Sequence, residues 1–341
     1  MKKLVFLVLV FALAVSGAFA GGGSQAGSQA GSQQQKVVVQ IGLENHPGEP
    51  VTDGVYEWKR VAEELSRGSM EVQVFPSSQM GTKDQIIDQM LAGMGVITLA
   101  DGAFFADRGA PDMGITMAPY FFASWDEAWR LIESQWWADQ GKILEGKGLK
   151  ILASNWIYGD RHTLTTRPIR AVEDFRGLKL RVPTNNIQIR GTEVMGATPT
   201  PLPLGDVYTA LQQGVVDGVE NPLTVLYGGK FHEVAKYLTL DGHIKLLTTW
   251  FCGTQWFNTL SKEHQDILIE SGRRAGLYNN DLQNKSVEET LANFRAEGVE
   301  IINIDIARFQ AQARPFYDMQ EFKSIWSPGI IEATDRAKAG R

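Results

Sequence analysis

Apolar positions recur along this chain with two periods, and each change of period marks an element. Val37 to Ile41 is a β-branched run that stops at the polar segment Gly42-Leu43-Glu44-Asn45-His46-Pro47, which predicts a strand feeding a loop. Val55, Trp58, Val61, Ala62 and Leu65 then fall at helical spacing among Glu, Lys and Arg, an amphipathic helix ending near Gly68. Glu71 to Phe75 alternates as a second strand. Thr82 to Leu91 reads as a second helix stopped by Gly93, and Val96 to Leu99 as a third strand. Strand, helix, strand, helix, strand is the order of an α/β lobe with a largely parallel sheet. Asp126 to Glu145 reads as one helix with Trp129, Leu131, Ile132, Trp136 and Trp137 on a packing face. Leu149 to Ile157 follows as an apolar strand.

Past Tyr158-Gly159 the pattern starts again. Leu178, Leu180 and Val182 alternate with Lys179 and Arg181 in a strand, Ile187 to Met195 makes a helix, and the prolines of Pro199-Thr200-Pro201-Leu202-Pro203 force an extended segment. Asp206 is placed to cap a helix carrying Val207, Ala210 and Leu211, which Gly214 stops before a strand from Val215 to Val219. Phe231 to Leu238 reads as helix, Leu246 to Trp256 as a strand returning to the first lobe, and His264 to Ala296 as a long helical tract. A short strand at Val299 to Ile304 and helices broken at Pro328-Gly329 complete the chain.

The ends add a compartment. Met1-Lys2-Lys3, the apolar run Leu4 to Val15 and the small-residue site Ala18-Phe19-Ala20 form a secretory signal peptide, residues 1–20, cleaved after about Ala20. Its apolar run is shorter than the roughly 20 residues a spanning helix needs. The only cysteine, Cys252, is far from that site, so a lipid anchor there is not expected, and the thiol reads as a small buried hydrophobe. Residues 21–35, GGGSQAGSQAGSQQQ, have no side chain able to build a core and read as flexible linker. About 305 residues remain, enough for two lobes. Without Lys2 and Lys3 the chain has 31 basic against 39 acidic residues, a formal charge of −8. That balance, with no basic cluster, argues against nucleic acid as partner.

Chemistry gathers between Arg161 and Asn221. In open α/β sheets ligands bind beyond the carboxyl ends of strands. Arg161 follows the strand ending at Ile157, Arg181 lies at the end of the strand that begins at Leu178, and Asn221 follows the strand ending at Val219. Because Arg181 alternates with Leu180 and Val182, its side chain leaves the opposite face, toward water or a cleft. A guanidinium offers paired planar donors that match a carboxylate, and such bonds are roughly twice as strong as neutral ones. Two arginines and an amide describe a carboxylate receptor. Catalytic signatures are missing from the sequence. There is no G-x-S-x-G, H-E-x-x-H or G-x-G-x-x-G after a strand, and the histidines at 46, 162, 232, 243 and 264 lack ligand spacing, so neither enzyme nor cofactor is expected.

Four ordered blocks carry a resemblance: Pro76-Ser77-Ser78-Gln79-Met80-Gly81, Gly177-Leu178-Lys179-Leu180-Arg181-Val182-Pro183, Gly196-Ala197-Thr198-Pro199-Thr200-Pro201, and Asp206 to Pro222. In them the chain resembles the solute-binding proteins of tripartite ATP-independent periplasmic (TRAP) transporters, the C4-dicarboxylate-binding family, from about Val37 onward. The resemblance implies a two-lobed binding protein. Each lobe would be a mixed, mostly parallel sheet flanked by helices, with a long C-terminal helix bracing both. Lobe I would comprise 36–157 and 248–286, and lobe II 158–247 and 287–341, with hinge strands near Tyr158 and Leu246. It implies that Arg181 is the main carboxylate ligand, with Arg161 and Asn221 beside it. Asp101 and the Glu44-Asn45-His46 stretch would touch the rest of the ligand. Thr184, Leu204 and Trp156 complete the expected contacts. Asp101 stands where sialic-acid-binding members carry the longer Glu. The implied partners are a small carboxylate and the membrane subunits of an ion-coupled permease, and the implied state is a monomer. Glu44, Asn45, His46 and Asp101 favour a sugar acid such as a hexuronate or ketogulonate over a diacid, whose second carboxylate an acid would repel. A C4-dicarboxylate, a sialic-acid-type ligand, a sensor or an ATP-driven transporter as client, and an enzyme acting on sugar acids are the alternatives.

Overall fold

The computed structural model describes residues 36–340, so the expected signal peptide (1–20) and linker (21–35) lie outside the described residues. The first stretch of chain lays down β1 (Val37–Gly42), α1 (Pro50–Leu65), β2 (Met70–Phe75), α2 (Lys83–Leu91), β3 (Val96–Ala100), α3 (Gly102–Ala106), α4 (Trp125–Ile132) and α5 (Gln135–Gly146). β4 (Leu149–Thr165) leads into β5 (Lys179–Val182), α6 (Asn186–Met195), β6 (Thr198–Pro201), α7 (Val207–Gln212), β7 (Gly218–Pro222) and α8 (Leu223–Gly228). β8 (Tyr237–Gly253) then returns, followed by α9 (Thr254–Phe257), α10 (Lys262–Ala296), β9 (Glu300–Ile302), α11 (Ile306–Ala313), α12 (Gln320–Ile325) and α13 (Ile330–Lys338).

The sheet runs β2-β1-β3-β8-β4-β7-β5-β6, with β9 beside β8. β1 pairs in parallel with β2 and β3, and β5 with β6 and β7, as helix crossovers require. β4 and β8, 17 residues each, run antiparallel down the middle. β3 joins β8 at Thr249 to Cys252, and β7 joins β4 at Arg161 to Thr165. The two parallel groups therefore hang from opposite ends of one long ladder, a two-lobed α/β fold. The ladder's register shifts between Ile157 and Gly159, where Gly159 has φ 131° and a Cβ would lie 2.8 Å from Pro222. Only glycine adopts that backbone in so tight a place without strain.

Packing explains where expectation and structure part. Asp126 to Glu145 is two helices, because Ser134 caps α5 by accepting the Trp137 N–H at 3.3 Å. The strand expected to stop at Ile157 continues to Thr165, so Arg161 sits inside β4. Val215 lies in the turn after α7, and the strand is shifted to Gly218–Pro222, which puts Asn221 within it. Asp206 makes no side-chain cap, since it ends a 3-10 turn at Leu204–Asp206. Phe231 to Leu238 is not a helix. A single 3-10 turn enters from Lys230 at φ 58°, and the chain is extended by Tyr237.

Trp58, Trp156 and Trp250 are fully buried against one another with ring centroids 5.1 to 5.9 Å apart. Truncating such a side chain costs on the order of 3–5 kcal/mol. Trp156 therefore belongs to the core, its Nε1 donating to Gly272 O at 3.0 Å, and the expected ligand contact is corrected. α10 packs on α1 and β4 and, farther along, on α8 and β9, so it braces both lobes. A smaller core of Ile169, Phe175, Leu178, Leu180, Met195 and Phe309 fills the second lobe. α13 lies against α4 and α5. Cys252 is buried, as its apolar neighbours indicated. Among the described residues no helix is long and apolar enough to cross a membrane.

Candidate functional site

A cavity of about 630 Å³, measured out to its mouth, opens where the two parallel groups face each other. Both contribute to its wall. Glu44, Asn45, Asp101 and the first turn of α2 come from one side, and Arg161, Arg181, Thr184, Leu204 and Asn221 from the other. Eight of the ten residues expected at the site thus meet. Trp156 is in the core, and His46 is turned away, its Nδ1 bonded to Ser77 Oγ at 3.0 Å.

The two arginines are held differently. Arg181 is 2% exposed, and the partner of its Nε and Nη2 is one carbonyl, Leu202 O, at 2.9 and 2.6 Å. Among the described residues no carboxylate pairs with it. Burial pulls its pKa down to about 10, with Glu220 and Glu44 opposing. A charge removed from water without a counter-ion costs several kcal/mol, and an anion in the cavity would relieve that cost.

Arg161 already has its anion. Its Nε and Nη2 meet Glu220 Oε2 and Oε1 at 2.5 and 2.7 Å, a bidentate pair with both side chains 3% exposed. Nη2 also donates to Glu220 O, and no described acceptor meets Nη1. Burial pushes the Glu220 carboxyl up, but Arg161 and His243 outweigh it and hold it below the usual range. His243 Nε2 lies 3.2 Å from Glu220 Oε2 and its Nδ1 3.1 Å from Asp241 Oδ2, which Thr163 Oγ1 also approaches at 2.7 Å. Burial lowers the His243 pKa, yet the two acids prevail and raise it to about 9. Glu220, Asp241 and His243 line a second cavity with Met117, Phe175 and Leu180, so the ion pair is the partition between two cavities.

The remaining polar groups face the cavity with capacity to spare. Asn221 Oδ1 is buried without a partner among the described residues. Asp101 caps α3, its Oδ1 accepting from Ala103 N at 2.9 Å and Phe104 N at 3.4 Å, and burial raises its pKa against Lys83 and Arg161. Asn45 Nδ2 donates to Glu49 Oε2 at 2.6 Å and to Tyr158 Oη at 2.8 Å. With both donors engaged, Asn45 offers the cavity an acceptor. Glu44 Oε1 takes Leu204 N–H at 3.3 Å and Asp84 Oδ2 takes Thr184 Oγ1–H at 2.8 Å, two bonds that join the facing walls at the rim.

Glu220, Tyr158 and Lys83 were not singled out from sequence. Glu220 is 59 residues from Arg161, and its role depends on β4 and β7 being neighbours, which no local pattern reveals. Lys83 did carry a local signal, a cation in the first turn of a helix, where the dipole disfavours it.

Residues 41–324 match the family described as bacterial extracellular solute-binding protein, family 7. The sialic acid-binding periplasmic protein SiaP of Vibrio cholerae is 31% identical over 274 residues, covering 79% of this chain and 83% of that one. A TRAP periplasmic solute-binding protein from Ochrobacterium anthropi with bound L-fuconate superposes with a TM-score of 0.86 at 37% identity, over 89% and 99% of the two chains. Another from Actinobacillus succinogenes with bound L-galactonate gives 0.85 at 33%, over 89% and 100%.

Proposed function

The chain belongs to bacterial extracellular solute-binding protein family 7, the periplasmic solute receptors that serve the membrane subunits of TRAP transporters, and from that premise we propose that its solute is a sugar acid. The observation that carries this reading is Arg181, a buried cation whose described partner is one carbonyl, in a cavity whose other polar groups suit hydroxyls. The proposed carboxylate ligands are Arg181, Nη1 of Arg161 and Asn221. Asp101, Glu44 and Asn45 receive the hydroxyls, and Thr184 and Leu204 close the rim. Glu44 and Asp101 disfavour a second carboxylate, which sets hexuronates, aldonates and ketogulonates above succinate-like diacids. Two relatives with bound L-fuconate and L-galactonate, each one carboxylate on a hydroxylated chain, support the class.

Each charge-assisted bond contributes about 1.5–3 kcal/mol, so an arginine fork with two neighbours supports micromolar or tighter binding after ordering costs. Lobe I (36–157 and 248–286) closes on lobe II (158–247 and 287–341) by bending β4 and β8 near Gly159 and Leu246, which are paired in register. A ligand touching both walls favours the closed state through contacts it makes only there. Members of this family are transport receptors, and we propose that the solute is released unaltered. Export after cleavage near Ala20 completes the reading, and the mass of the periplasmic protein checks it.

A thermal-shift screen against sugar acids and C4-dicarboxylates tests the proposal, since a ligand specific to the folded state raises its melting temperature. Sugar acids should raise it most. Succinate or malate raising it while every sugar acid leaves it unmoved overturns the assignment.

A further inference from the structure

Lys83 is the first residue of α2, after a complete capping box formed by Thr82 and Gln85. A cation there opposes the helix dipole, so helix stability does not account for it. Its ammonium stands 4.6 Å from the centroid of the Phe104 ring and lines the cavity. Among the described residues no hydrogen bond or ion pair engages Nζ. Its neighbour Asp84 is, by contrast, taken up by Arg108 and Thr184. Beside Lys83 on the same wall is Asp101, whose Oδ1 is spent on α3 and whose Oδ2 meets no described donor. Lys83 and Arg161 are the cations that act on Asp101. Arg181 stands in β5, on the facing wall, so Lys83 and Arg181 approach the cavity from opposite sides.

An ammonium with free N–H groups beside a carboxylate oxygen with a free lone pair matches a C–OH group, which accepts from one and donates to the other. Resting on the sugar-acid reading, we propose that Lys83 is a specificity-determining residue. It donates to a hydroxyl far from the solute's carboxylate while Asp101 Oδ2 accepts, so the site prefers six-carbon hydroxy acids to short ones.

Lys83→Met keeps the length and apolar stem of the side chain and removes the donor. Calorimetric titration of wild type, Lys83→Met and Lys83→Arg with L-galactonate and D-erythronate is the test, with the ligand-free melting temperature as control. The methionine variant should melt within a few degrees of wild type, since relief at the helix N-terminus offsets the lost contact with Phe104, and lose tenfold or more in L-galactonate affinity. Its loss for the four-carbon acid should be much smaller, and arginine should restore most of the preference. Unchanged L-galactonate affinity, or equal losses for both acids, overturns the role of Lys83 while leaving the sugar-acid reading intact. Wild-type protein that binds neither acid overturns that reading and this one with it.

Discussion

Arg181 and Arg161 line one cavity, yet the protein treats them oppositely. Around Arg161 every strong donor but Nη1 is met by Glu220, and His243, Asp241 and Thr163 hold that carboxylate in turn. Around Arg181 the described residues supply one carbonyl. A paired buried ion is a fixed part of the fold, whereas an unpaired one stores a penalty that only a ligand relieves. On the proposed reading, Arg161 is mainly scaffold with Nη1 kept for the solute, and Arg181 is mainly receptor.

The largest expected effect breaks the scaffold side. Glu220→Gln leaves Arg161 and His243 without their carboxylate and should cost about 3–5 kcal/mol of stability, read from denaturant unfolding of the ligand-free protein. A loss under about 1 kcal/mol would mean the network is not structural. Next comes the receptor side. Arg181→Lys substitutes a point charge for a fork and should lose about 2–3 kcal/mol of sugar-acid binding, roughly 30- to 150-fold. The ligand-free protein should meanwhile stay as stable or gain, and equal affinity in calorimetry removes Arg181 from the site. Asn221→Ala removes one uncharged bond and should cost about 1 kcal/mol of affinity, leaving both arginines in place.

The smallest effect is on pH. His243 faces Asp241, Glu220, Arg161 through Glu220, and His162 across Asp241. Its folded pKa is raised from an ordinary 6.5 to about 9, so its contribution to stability is complete below pH 6.5 and fades as pH rises to about 9. Glu49, buried and raised to about 8, also makes stability fall as pH rises, from about 4.5 upward. The melting temperature should therefore decline from pH 6.5 to 9, and His243→Gln should flatten part of that decline. An identical slope in the variant would show that His243 is not charged in the fold.

What the sequence made legible follows the range of the interaction. Alternation at Leu178 to Val182 and helical spacing at Val55 to Leu65 are local, and both elements formed as expected. Arg181, Asn221, Asp101, Glu44, Asn45, Thr184 and Leu204 reached one cavity because each sits at a strand end or in a loop that the sheet order brings together. The region around Phe231 misled for a physical reason. Phe231, Ala235 and Leu238 are apolar at helical spacing and all buried, but β4 and β9 claim Leu238 for a strand. The Arg161–Glu220 pair was hidden altogether, since its geometry exists only once β4 and β7 are side by side.

The central ladder also dictates when the protein can fold. β3 ends at Ala100 with β1 on one side, but its neighbour on the other side is the last stretch of β8, around Thr249 to Cys252, about 150 residues later. Closing so long a loop is entropically expensive and slow, and until it closes the first lobe keeps a bare strand edge. A nascent chain cut short before Thr249 should remain protease-sensitive throughout, whereas one extended past α10 should resist. In a member of a periplasmic binding-protein family, such delay keeps the chain pliant until nearly all of it has been made.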